Sequence, residues 1–470
     1  MPSYNESYNV AFLAQKATSS RLHIILYIVV SKYFSHFDGN VLQYDDVIIR
    51  IQHMYKKRIL SDKLKKLAEY FPAIIITGAR QVGKSTLVKH IFENMDYVLF
   101  DPLQDIENAR KEPDIFLNNH LKPVILDEIQ YAPELVPAIK RRIDADRKAG
   151  QFILTGSQQW SVMKSISDSL AGRIVILDLN SFSLGEIAED SSKPWLLAWL
   201  ENQDAGISDK TKKLQTGSIL YELLWRGFLP EALLMPLEHV ANFHDSYLRT
   251  YLERDVRQFA DVSDWALFRR FVSLISALTA QEINYSQVGR ELGLTPQTSQ
   301  KWLDILKATF QWFELPAFHG NTIKRISSKP KGYISDTGIA CHAQSISSPK
   351  AIGGHPLWGS LFETAVVNEI RKQCALLNPM PTMYHWRTHR DAEVDVVLER
   401  DGIFYPIEIK ATGRPSRRDT SGIRAFRSTY SDIKIAKGLV VAPTDAFIQL
   451  SEDDYAIPWD FCGTVGSMTR

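Results

Sequence analysis

Between Phe71 and Asp178 the hydrophobic residues come in short, β-rich runs. AIIIT (73–77), YVLF (97–100), PVILD (123–127), QFILT (151–155) and IVILD (174–178) are separated by longer stretches that can hold helices. Continuous apolar runs in such an alternation predict a parallel sheet with helices on its faces. From about 190 to 260 the strands stop. WLLAWLENQ and HDSYLRTYLERDVRQFA have helical spacing, with the charged loop DAGISDKTKK between them.

Residues 264–326 change the pattern again. DWALFRRFVSLISALTA predicts one helix. YSQVGRELG predicts a second, stopped at Gly293, and PQTSQKWLDILKATF a third, capped by Thr295 with Pro296 in its first turn. Val288, Leu292, Leu294, Trp302, Leu303 and Leu306 are spaced to pack these helices together. WFELPAFHGNTIKRIS then reads as two β runs around a turn at Gly320-Asn321. Three helices and a hairpin make the winged helix-turn-helix plan. Beyond 331 the chain is mixed α/β. WGSLFETAVVNEIRKQCALL predicts a helix, and AEVDVVLERDGIFYPIEIKAT a hairpin turning at Asp401-Gly402.

The expected organisation is therefore an α/β domain over 54–190, with a parallel sheet and flanking helices. A helical linker or lid (191–263), a winged helix-turn-helix (264–330) and a second α/β domain (331–470) follow. Residues 1–53 read as an N-terminal extension outside the core fold, or as sequence upstream of the natural start, because MYKKRIL at Met54 looks like a domain start. Their apolar run LHIILYIVV (22–30) is far too short to span a bilayer and has no small-residue cleavage site behind it. No membrane association is expected.

Composition excludes little. The 470 residues are 45% hydrophobic and 23% charged with a net charge of +1, so any nucleic-acid binding must come from local patches. The three cysteines form no CxxC pair, which argues against a zinc site and fits a reducing cytoplasm.

Residues 78–85, GARQVGKS, match G-x-x-x-x-G-K-[ST] between a strand and a helix. The backbone from Gly78 through Ala79, Arg80, Gln81, Val82 and Gly83 can turn its N–H groups onto phosphates. Lys84 adds charge, and Ser85 and Thr86 open the helix whose N-terminus favours an anion. Ser85 and Asp127 are the expected Mg²⁺ ligands, and ATP with Mg²⁺ the expected cofactors. VILDEIQ puts Asp127 and Glu128 at the C-terminal end of a strand, where Glu128 can polarise an attacking water. After FILTG, Ser157 or Gln158 is placed to orient that water. Arg173 is a candidate arginine finger, which across a subunit boundary would require a homo-oligomer.

The motifs ITGARQVGKSTL, VILDEIQ, ILTGSQQ and LAGRIVILDLNSFSLGEI resemble those of bacterial and archaeal AAA-type ATPases that carry a C-terminal domain of unassigned function. GFLPEAL, YLERDV, KGYISDTGIA and SLFETAVVNEI extend the resemblance over nearly everything beyond Met54. It implies an additional-strand, catalytic-glutamate P-loop core that binds and hydrolyses ATP. Residues 1–53 have no counterpart in that pattern.

Two further constellations concern partners. In the winged helix, Gln297, Thr298, Ser299, Gln300 and Lys301 would face DNA bases, and Lys324, Arg325, Lys329 and Lys331 its phosphates. The same module can instead act as a lid against the ATPase. In the last domain, alternation sets Glu393, Asp395, Glu408 and Lys410 on one face of the hairpin, with Glu363 on the preceding helix. An acid on a helix, then Asp, then Glu-x-Lys resembles the PD-(D/E)xK nuclease superfamily. That resemblance implies a divalent metal on Glu363, Asp395 and Glu408, with Lys410 beside it. The same residues also suit a sheet face laced with cross-strand salt bridges. Two functions follow: an ATP-driven switch acting on DNA, or a regulatory protein whose ATP-set shape governs a protein partner.

Overall fold

The computed structural model describes residues 55–101, 106–121, 123–157, 170–201, 212–252, 256, 264–320, 325, 328–388 and 392–462. The chain divides into two units, 1–56 and 57–470, and the second contains every site discussed below. Gln158 and Lys324 lie outside the described residues.

Helix α1 (Ser61–Ala68) precedes β1 (Ala73–Thr77), and α2 (Lys84–Ile91) follows the glycine-rich loop. Strands β2 (Asp96–Leu99), β3 (Val124–Asp127), β4 (Phe152–Gly156) and β5 (Ile174–Asp178) complete a five-stranded sheet, with helix α3 (Leu135–Ala145) between β3 and β4. The order is β2-β3-β4-β1-β5, parallel throughout. Period-two alternation feeds two cores. Ile74, Ile76, Ile125 and Ile153 face one, while Ile75, Leu126 and Leu154 pack with Ile139 of α3 in the other. Strand β4 separates β1, which leads into the Walker A motif GARQVGKS, from β3, which ends in the Walker B residues Asp127 and Glu128. The short helix α4 (Leu184–Ile187) then turns the chain back along the loop.

Helix α5 (Leu237–Ser246) runs into a π-helical turn at Tyr247–Leu252. Next come α6 (Trp265–Ala277), β6 (Gln281–Glu282), α7 (Tyr285–Leu292), α8 (Pro296–Ala308), β7 (Trp312–Leu315) and β8 (Lys331–Ile334). The predicted caps are present: Gly293 is left-handed at φ 68°, and Thr298 N donates to the Thr295 hydroxyl at 3.1 Å. Of the hairpin expected around Gly320-Asn321, residues 321–324, 326 and 327 lie outside the described residues. β7 pairs with β8, in an antiparallel sheet ordered β6-β8-β7. That pairing runs across the boundary expected at 330/331.

The last part is built from α9 (Trp358–Cys374), β9 (Thr382–Arg387), β10 (Glu393–Arg400), β11 (Ile403–Ile409), α10 (Ser421–Thr429), β12 (Gly438–Ala442), β13 (Ile448–Gln449) and β14 (Asp454–Pro458). The sheet is mixed, ordered β9-β10-β11-β12-β14-β13, with Lys434–Ile435 pairing β11. Asp401 and Gly402, at φ 53° and 74°, make the predicted β10–β11 turn. The short strand Lys212–Lys213, at the end of the charged loop expected between the two helical stretches, pairs with Phe461–Cys462. One hydrophobic core runs from Leu60 through Trp199, Phe271 and Phe362 to Phe461, so the successive segments share an interior.

Two of the later sequence marks are structural. Asp336 accepts hydrogen bonds from Phe228 N at 2.7 Å and Gly338 N at 2.9 Å. A Cβ on Gly227 would lie 1.9 Å from Asp336 Oδ1. GFLPEAL and KGYISDTGIA are thus the two halves of one buried interlock.

Candidate functional site: a phosphate loop and a lysine-filled acid cluster

β1 is buried along its whole length and delivers the chain to Gly78 at the carboxyl edge of the sheet. Gly78 has φ 146°, and a Cβ there would lie 2.2 Å from Leu179 O, so only glycine fits. Gln81 (φ 62°) and Gly83 (φ 94°) are left-handed on either side of Val82. The first turn of α2 has no side-chain cap from Gly83, which leaves its N–H groups for an anion. Lys84 Nζ is held over the loop by Gly78 O at 2.9 Å and Ala79 O at 2.8 Å. Arg80 Nη2 reaches the Tyr131 hydroxyl at 3.2 Å.

Asp127 ends β3, fully buried. Its Oδ1 accepts from the Thr155 hydroxyl and its Oδ2 from the Tyr97 hydroxyl. Burial and the Asp127 carboxylate raise the Tyr97 phenol well above its ordinary pKa. Glu128 is left-handed (φ 60°), and its N–H donates to Thr155 Oγ1 at 3.0 Å. Its carboxylate accepts from Gln130 Nε2 and, at 3.3 Å, from the Ser157 hydroxyl. Ser157 also accepts from Gln130 Nε2 at 3.2 Å. Because β4 lies between β3 and β1, Thr155 and Ser157 stand between the two Walker motifs.

These residues fit ATP and Mg²⁺. The close approach at Gly78 keeps the loop backbone free of side-chain atoms there. Ser85 and Asp127 carry oxygens of the kind a hard cation takes. Tyr97, Gln130 and Thr155 were missed by sequence reasoning. Gln130 had a signal, two residues after Glu128 in DEIQ, whereas Tyr97 becomes adjacent only through the β2–β3 pairing.

Arg173 lies away from the phosphate loop of its own chain. It precedes Ile174, which is in register with Ala73 at the amino end of β1, so it sits at the edge of the sheet opposite the phosphate loop. Its Nε and Nη2 fork onto Asp144 at 2.6 and 3.1 Å. Strand direction thus removes Arg173 from its own chain's site.

The C-terminal acids also depart from expectation. Lys331 Nζ lies 2.6 Å from Glu363 Oε1 and 2.8 Å from Asp395 Oδ1. The Tyr333 hydroxyl donates to Glu363 Oε1 at 2.7 Å, and Ile409 N to Asp395 Oδ2 at 2.9 Å. Lys410 pairs instead with Glu408 Oε1, and the buried Glu408 Oε2 has no hydrogen bond among the described residues. Burial opposes ionisation of Asp395, but the Lys331 and Lys410 ammoniums outweigh it and hold that carboxyl below its usual range. Burial, then Asp395, pushes Glu363 up to about 7 and Glu408 well above the usual carboxyl range. Burial also works against a charge on Lys331, yet Asp395 leads the groups that keep it charged, well above its ordinary pKa.

A divalent metal does not fit this cluster. One resident ammonium already bridges two of the acids, and the third is paired with the Lys410 ammonium. Among the described residues no group of three His, Cys, Asp or Glu side chains gathers as a metal site. Lys331 Nζ thus stands against Glu363 and Asp395, where a metal was expected. Glu393 stands apart, partly exposed, 4.0 Å from Arg387.

The expected DNA contacts are thinned in the same way. Ser299 is buried, its hydroxyl on Thr295 O at 3.2 Å, while Gln297, Gln300 and Lys301 are exposed and Thr298 is half-buried. Lys331 is interior, and Arg325 stacks on Phe318 at 4.4 Å with Glu399 3.4 Å away. Lys329 is exposed.

Residues 70–188 match the family model described as an AAA domain. Residues 217–350 match a domain of unknown function (DUF8612), and residues 358–462 another (DUF4143). Uncharacterized proteins of Mycobacterium tuberculosis and Mycobacterium bovis are each 28% identical over 418 residues, spanning 88% of this chain and 86% of theirs. A solved Walker-type ATPase of Pyrococcus abyssi is 16% identical, covering 66% of this chain and 99% of that one, with a TM-score of 0.41. With the parallel sheet and its glycine-rich loop, the match over 70–188 defines an AAA-type P-loop ATPase domain. Among the described residues no helix is long and apolar enough to cross a membrane.

Proposed function

We propose that this protein is an ATP-hydrolysing switch whose nucleotide state is coupled to its C-terminal module, and that the module acts on DNA. The convergence of Glu128, Gln130 and Ser157 beside the phosphate loop carries the hydrolytic part. In this reading Ala79, Arg80, Gln81, Val82 and Gly83 turn their N–H groups to the phosphates, and Lys84 neutralises the outer ones. Ser85 and Asp127 would hold Mg²⁺, which when bound draws charge from the transferring phosphoryl group. Glu128 takes the proton of the attacking water, while Ser157 and Gln130 fix the carboxylate and the water. The exposed Gln297, Gln300, Lys301 and Lys329 support DNA as the partner. The buried, free Cys341 and Cys374 accord with a reducing cytoplasm.

Nucleotide binding and turnover test this directly. Lys84→Ala should abolish ATP binding in a folded protein. Glu128→Gln should keep binding but slow turnover by about a hundredfold or more, because the carboxylate acts only in the chemical step. Unchanged turnover in Glu128→Gln would move the base elsewhere.

The Lys331 bridge favours a second reading for the C-terminal module: a nuclease-like scaffold that binds a nucleic acid or a protein without metal-dependent cleavage. Metal-dependent nicking of DNA by the wild-type protein, lost in Asp395→Asn, would reject that reading.

A further inference from the structure

Arg58 lies three residues ahead of α1 and is buried with all of its guanidinium nitrogens engaged. Nε donates to Glu186 Oε1 at 2.8 Å, Nη1 to Val82 O at 2.6 Å and Nη2 to Asn180 O at 2.6 Å. The plane stacks over Phe182, 4.8 Å from the ring centroid. Val82 sits between the left-handed Gln81 and Gly83. Such a conformation at the non-glycine Gln81 is strained and persists only where its surroundings impose it. Arg58 supplies that constraint.

Glu186 carries the connection onward. Its Oε1 also accepts from Ile59 N at 2.6 Å, and its Oε2 from Ser183 N at 2.6 Å, closing a capping box with the Ser183 hydroxyl. Helix α9 grips the same turn from its other side. Glu369 Oε2 accepts from Leu184 N at 3.1 Å, and Lys372 Nζ donates to Phe182 O at 2.6 Å while lying over the Phe228 ring. Glu363 of the acid cluster is on the same helix. Arg58, Glu186, Glu369 and Lys372 are all buried, and each is hydrogen-bonded to backbone, Arg58 and Glu186 also to one another. Buried charges of this kind are retained only where their hydrogen bonds are complete.

We propose that Arg58 is a positioning residue for the phosphate loop. Through the Ser183–Glu186 turn it ties that loop to α9, so that binding of a nucleoside triphosphate is sensed at the helix carrying Glu363. This rests on the reading of residues 78–85 as the ATP cradle.

The test uses the full-length protein, with ATP·Mg²⁺ affinity, steady-state turnover and backbone hydrogen exchange over 358–374. In the wild type, saturating ATP·Mg²⁺ should slow exchange in α9. Arg58→Met should weaken ATP at least tenfold while turnover at saturation stays within about threefold. The α9 response should vanish even at saturating ATP. Arg58→Lys, which keeps the charge but not the fork, should recover part of the affinity. If Arg58→Met does not fold, Lys372→Met keeps the question open to measurement: it should leave ATP affinity unchanged and lose the α9 response. Wild-type exchange that ignores bound ATP would overturn the proposal. So would Arg58→Met retaining both affinity and response, or Lys372→Met retaining the response. A wild type that binds no ATP at all would overturn the cradle reading itself, and the binding measurement separates that case from the others.

Discussion

Lys331 Nζ donates to Asp395 Oδ1 at 2.8 Å, and both side chains are buried. The lysine belongs to β8 and the aspartate to β10, so a charge of one sheet is neutralised by a strand of another. A cation built into the chain carries no entropic cost of capture and needs no metal supply. It also ties the acid cluster to the position of β8.

A resident cation predicts how the protein answers metals. The melting temperature of the wild type, without nucleotide, should not change across millimolar Mg²⁺ or Mn²⁺. Lys331→Met strands two carboxyls and should destabilise the fold by about 3–5 kcal/mol, the cost of breaking a buried pair. Mn²⁺ should then restore part of that loss by binding the native state alone. A Mn²⁺-dependent rise in the wild type, lost in Asp395→Asn, would reinstate the metal site.

Glu363 gives a pH dependence. Its carboxyl is pushed from about 4.5 up to about 7 by burial and by Asp395. Between those values the folded chain holds a proton that the unfolded chain has released, so stability falls as pH rises through that window. The loss is complete above about 7 and on the order of 1–3 kcal/mol. Denaturant titrations of the wild type and Glu363→Gln from pH 4.5 to 8 should show this component of the slope only in the wild type.

Tyr97 places its hydroxyl on the Asp127 carboxylate that Mg²⁺ would use. Removing a hydrogen bond to a charged group costs about 1.5–3 kcal/mol in the metal-free protein. Tyr97→Phe should therefore lower the Mg²⁺ concentration that half-saturates ATP binding by about tenfold. A higher requirement would mean that the hydroxyl holds Asp127 in its ligating position.

Arg173 forks onto Asp144 at the far edge of the sheet. Arg173→Ala should leave ATP turnover within about twofold of wild type at any protein concentration. A large loss, complemented by mixing with Lys84→Ala, would establish a finger acting across a subunit boundary.

What the sequence determined by itself is what depends on near neighbours. The apolar runs of β1, β3, β4 and β5, the turn at Asp401-Gly402, the Thr295 cap and the GARQVGKS loop each require particular residue types within a few positions, and periodicity exposes them. Tertiary structure decided which distant groups share a space. Arg58 meets Glu186 across 128 residues, and Lys331 meets Asp395 across 64. No local preference marks a buried lysine as a substitute for a metal. Arg173 shows the same limit: IVILD identifies a strand, but only its parallel register with β1 puts the preceding arginine at the end away from the phosphate loop. Burial and strand direction are properties of the assembled chain, and here they set which charges can reach a ligand and which are consumed in holding the fold.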